Sequence, residues 1–384
     1  MELNKLKISV SSASGVEGIT KREIYNLIGK EVAFLSGRAD FFGSISDVAR
    51  LNICLRTANK VYVVLKEFTA TTFDELFEGV YSFEWNKLLE KNAKVFVDAK
   101  SVKSALFALS SIQSITKKAI VNSLTGKDGF LNETGKEYFL EVSILNDKVS
   151  ILLNTSGQGL HKRGYRKLTA KAPIAENLAA ALIMLTPWNK DRILVDPFCG
   201  SGTFPIEAAM MAAGMAPGMN RSFTAEKWPH IIGKKVWYDT LDEANEMVDL
   251  SVKTDIQGYD IDDHMVAIAR ENAKVAGVDK LIHFQRRSVE DLSHPKKYGF
   301  IITNPPYGER LQEKQDMPAL YKVIGERYKA LDSWSMYMIT AYEDAEKDIG
   351  RKADKNRKIY NGMMKTYYYQ FLGPKPPKAG KGQS

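Results

Sequence analysis

The chain has 384 residues, 44% of them hydrophobic and 26% charged, with a formal net charge of +8; it is long enough for two or three domains at roughly 150 residues each, and its basic balance favours a polyanionic partner. No apolar run reaches the roughly 18 residues of a membrane span, and Met1-Glu2-Leu3-Asn4-Lys5 lacks the order of a signal peptide, so a cytoplasmic protein is expected. The two cysteines, Cys54 and Cys199, and the five histidines show neither a disulfide framework nor metal-ligand spacing, so no metal is implied.

From Ile8 to about Leu65, strand-like and helix-like runs alternate: Ile8-Ser9-Val10, a helix over Val16 to Leu27 closed by Gly29, then Val61 to Leu65. The pattern predicts a small α/β or α+β unit without a catalytic constellation. Its Leu55-Arg56-Thr57-Ala58-Asn59-Lys60-Val61 resembles the entry to the last strand of the ferredoxin-like domain that accompanies some RNA-modifying enzymes.

The next segment, about Thr71 to Thr155, opens with a strand at Phe96-Val97 that gives way at Asp98 to Ala99-Lys100-Ser101-Val102-Lys103-Ser104. A helix follows from about Ser111 to Leu124, with Ile112, Ile115, Ala119, Ile120 and Leu124 on one face and Lys117 and Lys118 on the other. Strands over Tyr138 to Leu145 and Lys148 to Asn154 are joined by a short turn at Asn146-Asp147. This order resembles a THUMP domain, an RNA-binding module, which implies that Lys100, Lys103, Lys117 and Lys118 track an RNA backbone; a plain solvated face is the other reading.

The connection Gly159-Leu160-His161-Lys162-Arg163-Gly164-Tyr165-Arg166-Lys167 interleaves basic and aromatic side chains suited to phosphate contact and stacking. Pro173 and Glu176 stand where a helix would open, with Leu178, Ala181, Leu182 and Leu185 running on to Trp188. This junction resembles that of the THUMP-containing guanine-N2 RNA methyltransferases, especially those acting on large-subunit ribosomal RNA. His161, Lys162, Arg163 and Arg166 are candidate RNA contacts.

Ile193-Leu194-Val195 reads as a buried strand leading into Asp196-Pro197-Phe198-Cys199-Gly200-Ser201-Gly202-Thr203 and a helix opening at Pro205. Strand, glycine turn and helix bring backbone N–H groups close to a polar ligand. No third glycine completes the dinucleotide pattern. The acid before the glycines resembles instead the first motif of class I S-adenosylmethionine (SAM)-dependent methyltransferases, which implies that Asp196 meets the methionine ammonium, with Phe198, Gly200, Gly202 and Thr203 around the cofactor.

An insertion between Met211 and Asp255 carries a predicted helix over Leu241 to Val252. Ile256 to Asp262 then gives the second strand and its tip, where Asp260 is assigned to the ribose hydroxyls, Ile261 to the adenine face and Asp262 to capping the helix Met265 to Ala276. The third strand, Ile282 to Gln285, ends near Ser288-Val289-Glu290-Asp291; many class I methyltransferases carry an aspartate for the adenine amino group where Ser288 stands, leaving Ser288, the Val289 backbone or Asp291 for that contact.

Phe300 to Ile302 reads as a buried strand stopped at once by Asn304-Pro305-Pro306-Tyr307-Gly308. Ligands of open α/β sheets bind at such strand tips. Asn304 and the Pro305 carbonyl offer two acceptors and Tyr307 a stacking ring, which suits a planar group bearing an exocyclic NH2. Asn-Pro-Pro-Tyr resembles the active-site motif of methyltransferases that modify amino nitrogens, and Gly308-Glu309-Arg310-Leu311 matches the ribosomal guanine-N2 group, with Arg310 a further RNA contact. A helix from Ala319 to Leu331, a strand from Ser335 to Thr340, and a pair over Arg357 to Tyr360 and Met363 to Phe371 around Asn361-Gly362 close the domain.

The expected fold is α/β: a ferredoxin-like domain (1–65), a THUMP domain (66–160), a Rossmann-like class I methyltransferase domain (161–372) whose mostly parallel seven-stranded sheet ends on an antiparallel strand, and a disordered basic tail (373–384). The resemblance implies methyl transfer from SAM to guanine N2 in 23S rRNA, with no metal. Guanine N2 of tRNA, adenine N6 of RNA, and a catalytically weak SAM-binding RNA chaperone remain open.

Overall fold

The computed structural model describes residues 5–126, 129–166, 174–308, 311–362 and 364–377. The chain divides into two compact units. One comprises the chain up to Ser12, Lys21–Leu160 and Arg221–Ala244; the other comprises Ala13–Thr20, His161–Asn220 and the chain from Asn245.

The amino-terminal elements are β1 (Leu6–Ser12), α1 (Glu17–Ile28), β2 (Arg38–Gly43), α2 (Ile45–Cys54), β3 (Ala58–Thr69), α3 (Phe73–Tyr81), β4 (Lys94–Val102), α4 (Leu109–Thr125), β5 (Glu137–Leu145) and β6 (Lys148–Asn154). The six strands form one sheet in the order β2-β1-β3-β6-β5-β4, with only β4 and β5 parallel. Because β3 pairs with β6, the two expected amino-terminal modules share a single sheet. Capping boxes start α2 (Ser44 with Asp47) and α3 (Thr72 with Glu75). Asn146 and Asp147 both hold positive φ, 49° and 63°, as a two-residue hairpin of primed type requires.

β4 runs past its expected end at Asp98 because it pairs with β5 residue for residue as far as Val102. The inserted segment Arg221–Ala244 builds onto this unit. Arg221 donates to the carbonyls of Ser156, Gln158 and Gly159 at 3.1, 2.8 and 2.7 Å, and Trp228 stacks on Tyr138 at 5.0 Å while its indole N–H donates to the Glu137 carbonyl.

The carboxy-terminal elements are α5 (Glu176–Met184), β7 (Leu194–Asp196), α6 (Thr203–Ala212), the inserted α7 (Lys234–Glu246), β8 (Ile256–Asp260), α8 (Asp263–Ala276), β9 (Ile282–Arg286), β10 (Phe300–Thr303), α9 (Leu311–Ala330), β11 (Ser335–Thr340), α10 (Ala345–Ile349), β12 (Lys355–Asn361) and β13 (Met364–Phe371). Their sheet has the order β12-β13-β11-β10-β7-β8-β9, and β13 alone runs opposite to the other six strands. Alternate residues feed two cores: Leu194, Phe300 and Ile302 one, Val195, Ile301 and Met336 the other. The chain winds outward through β8 and β9, then returns to the far side of β7 as β10. That reversal leaves a crevice beyond the carboxyl ends of β7, β8 and β10. Two helices depart from expectation: α7 lies earlier than Leu241 to Val252, and α9 opens ahead of Ala319 with Pro318 inside it.

Candidate active site

A cleft of about 840 Å³ occupies this crevice. Asp196, Phe198, Gly200, Thr203, Asp260, Ile261, Ser288, Val289, Asn304, Pro305 and Tyr307 all line it, so residues spread over more than a hundred positions converge. Asp196 ends β7 and is fully buried. Its Oδ1 accepts from Thr303 Oγ1 at 2.6 Å and from the Phe198 N–H at 3.1 Å. Burial, helped by the nearby Asp260 charge, pushes its carboxyl up to about 7 against the lowering effect of these two bonds.

Asp260, at the tip of β8, accepts from the Gly200 N–H at 2.9 Å and the Asp262 N–H at 3.0 Å through different oxygens. Each oxygen keeps a further acceptor site. Asp262 caps α8 by accepting from the His264 N–H, as its position suggests. Ile261 is 67% exposed beside the cleft. Ser288 accepts from the Glu290 N–H at 3.2 Å, and Glu290 rather than Asp291 reaches the cleft wall.

The two glycines differ. A Cβ on Gly200 (φ +50°) would meet nothing within 4 Å, whereas Gly202 (φ +86°) does not line the cleft: its Cβ would lie 3.1 Å from Ala269 and Phe284. Gly202 is thus a close-packing residue between α6 and its neighbours, a reason for glycine there besides the expected approach of the cofactor.

The Asn304-Pro305-Pro306-Tyr307 loop leaves β10 with Pro305 buried and Asn304 and Tyr307 half-buried. Sequence reasoning missed the groups around it. Ala319, Leu320 and Val323 of α9 supply an apolar wall, and Ile174 another part. Thr303 and Tyr321 hold the site from behind, through bonds to Asp196 and to the Pro306 carbonyl. No local sequence pattern marks either one.

The expected RNA contacts divide sharply. Lys100, Lys103, Lys118 and Lys162 are exposed and His161 half-buried; Lys100 pairs with Glu141 at 2.9 Å and Lys117 with Glu133 at 2.6 Å. Arg163 corrects its assignment. It is 2% exposed, with its guanidinium 3.4 Å from Glu207 on α6, an acid that also accepts from Tyr165 at 3.1 Å. Arg166 likewise turns inward, donating to Thr203 Oγ1 at 2.7 Å and the Ile174 carbonyl at 3.0 Å near Glu176. Both arginines brace the glycine-loop helix rather than display charge. Arg310 and Pro173 lie outside the described residues, and among the described residues no cluster of acids, cysteines and histidines could hold a metal.

A mostly parallel sheet with one reversed strand, and a strand-tip cleft joining an acid-glycine turn to Asn-Pro-Pro-Tyr, define a class I methyltransferase domain. Residues 163–370 match the RMKL-like methyltransferase domain, 7–62 the RlmL ferredoxin-like domain and 70–154 the THUMP domain. The chain belongs to this family of SAM-dependent RNA methyltransferases. It is 43% identical over its whole length to YpsC of Bacillus subtilis (strain 168), whose name proposes an RNA methyltransferase and whose full length it covers. It is 31% identical, over 94% of its length, to the ribosomal RNA large subunit methyltransferase K/L of Shewanella woodyi, of which it spans 52%. SMU.472, named as a proposed methyltransferase and solved in complex with S-adenosylhomocysteine, superposes with a TM-score of 0.90 at 41% identity, covering 97% of this chain and 100% of that one.

Proposed function

We propose that the protein transfers a methyl group from SAM to the exocyclic N2 of a guanine in large-subunit (23S) rRNA. The observation that carries this reading is one cleft shared by Asp196, Gly200 and Asp260 with Asn304, Pro305 and Tyr307. Its volume lies within the roughly 300–1,000 Å³ usual for ligand pockets. The residues fit SAM: Asp196 suits the methionine ammonium, the open space over Gly200 admits a close ligand, and Asp260 has acceptor capacity left for the ribose. SMU.472, with S-adenosylhomocysteine bound, supports the same cofactor. When bound, SAM supplies an electrophilic sulfonium methyl.

The lone pair of guanine N2 is delocalised into the ring and is a poor nucleophile. Asn304 and the Pro305 carbonyl accept its two hydrogens, which favours a pyramidal nitrogen with the lone pair free to attack. Tyr307 stacks on the base, which must first leave its own stack. Alignment supplies most of the acceleration. No strong general base is required, because the alkylated nitrogen is acidic and loses its proton to solvent. The choice of large-subunit rRNA is supported by the name of the K/L relatives, and that of guanine by the resemblance of the Gly308-Glu309-Arg310-Leu311 run to the ribosomal guanine-N2 group.

The test is incubation with labelled SAM and, separately, protein-free large-subunit rRNA and bulk tRNA, followed by digestion to nucleosides. N2-methylguanosine in rRNA alone is expected. The same nucleoside in tRNA overturns the substrate, and N6-methyladenosine overturns the base.

A further inference from the structure

Two residues outside the sequence motifs meet behind the acceptor loop. Tyr321 of α9 is fully buried, with its hydroxyl 3.1 Å from the Pro306 carbonyl and 2.5 Å from Thr340 Oγ1. Thr340, the last residue of β11, accepts from the Tyr342 N–H at 3.0 Å. Counting protons fixes the direction of this chain. A carbonyl only accepts, so the single phenolic proton goes to Pro306; the Tyr321 oxygen then accepts from the Thr340 hydroxyl, whose own oxygen takes the Tyr342 N–H. Burial holds the Tyr321 phenol well above its ordinary pKa, which keeps it a donor.

We propose that Tyr321 is a positioning residue for the methyl acceptor, held in register by Thr340. The Pro305 and Pro306 carbonyls are related by the two torsions of Pro306. The ring fixes φ, and the Tyr321 bond fixes ψ by anchoring the second carbonyl. That one bond therefore sets where the Pro305 acceptor points and where the following residue, Tyr307, starts. The inference rests on the reading of Asn304, Pro305 and Tyr307 as the acceptor site. The Tyr321 ring packs on Tyr342, 4.6 Å between centroids, a ring contact that does not use the hydroxyl, so Tyr321→Phe is expected to keep it.

The experiment compares Tyr321→Phe, Thr340→Val and Thr340→Ser, with Asn304→Ala alongside, using labelled SAM and deproteinised total RNA as acceptor. Tyr321→Phe is expected to lower kcat about tenfold, the worth of one hydrogen bond, with the KM for SAM and the melting temperature little changed. Thr340→Val is expected to lose about threefold, within the same range for a weakened bond, and Thr340→Ser, which keeps the hydroxyl, to recover that loss. An unchanged kcat in Tyr321→Phe beside an inactive Asn304→Ala overturns the positioning role and leaves the acceptor reading standing. Lowered melting temperature with unchanged kcat assigns the bond to stability and also overturns the role. An active Asn304→Ala overturns the acceptor reading itself, and this inference with it.

Discussion

Thr303 Oγ1 donates to Asp196 Oδ1 at 2.6 Å across the tips of two paired parallel strands, β10 and β7. One residue beyond Thr303 stands Asn304; beyond Asp196 begins the glycine turn. The bond ties the Asp196 carboxylate to the strand that leads into Asn304-Pro305-Pro306-Tyr307. Thr303→Val keeps the shape and removes the donor, and a bond to a charged group is worth about 1.5–3 kcal/mol. SAM affinity is expected to fall about tenfold or more, read by calorimetric titration; an unchanged Kd would remove Thr303 from the binding machinery.

The raised Asp196 carboxyl gives SAM binding a pH dependence with a defined sign. In the folded chain the group titrates near 7, against an ordinary 3.8, chiefly because burial opposes its ionisation. The fold is therefore favoured while Asp196 stays protonated, and that contribution is lost as pH rises from about 4 through about 7. A cationic group beside it needs the ionised form. SAM affinity is expected to strengthen about tenfold from pH 6 to pH 8, the linkage expected for one group titrating near 7. Asp196→Asn should bind weakly and without that slope, and a pH-independent Kd in the unaltered protein would show that the carboxylate does not meet the ammonium.

The strand tips of the cleft were legible because each is an apolar run broken by residues that cannot continue it, as at Ile302 before Asn304-Pro305-Pro306. The sequence pattern above omits β2 and α2, although Ala39, Phe41 and Gly43 alternate inward and Ser44 with Asp47 forms a capping box. Partners remote in the chain governed two other departures. β4 extends because β5 pairs with it, and Arg163 is drawn inward by Glu207, an acid 44 residues away that only the fold brings near. A basic run in a sequence reports charge, not the direction in which each side chain turns.

Arg163 and Glu207 form an ion pair with side chains 1% and 0% exposed, so removing Arg163 leaves the Glu207 carboxylate buried without that charge beside it, with the Tyr165 hydroxyl still donating to it. Arg163→Met is expected to cost about 3–5 kcal/mol of stability in chemical denaturation, and Arg163→Met with Glu207→Leu to recover much of it. RNA affinity of the folded single variant is expected to match that of the unaltered protein. A large loss of RNA binding without loss of stability would restore the surface role that the sequence suggested.

The lysines of the THUMP segment should separate by what already neutralises them. Glu133 sits 2.6 Å from Lys117, whereas Lys103 and Lys118 are exposed. Lys103→Ala and Lys118→Ala are each expected to weaken binding to protein-free large-subunit rRNA and to reduce the slope of log affinity against log salt by about 1. Lys117→Ala should change that slope less. Equal slopes in all three variants and the unaltered protein would place the RNA path elsewhere.

Gly200 and Gly202 stand two residues apart in one turn, yet alanine at each should fail for a different reason. Both hold positive φ, which costs a side chain about 1–2 kcal/mol. At Gly200 the added methyl meets no protein atom and projects into space that a ligand would use, so Gly200→Ala should stay folded and lose SAM affinity. At Gly202 the methyl would press on Ala269, Phe284 and Ile206 at 3.1–3.2 Å, adding packing strain to the backbone cost. Gly202→Ala should therefore show the larger fall in urea midpoint, and whatever fraction remains folded should bind SAM more tightly than Gly200→Ala does. The reverse order, with Gly200→Ala binding normally, would mean that the cofactor approaches the turn from a side other than the cleft.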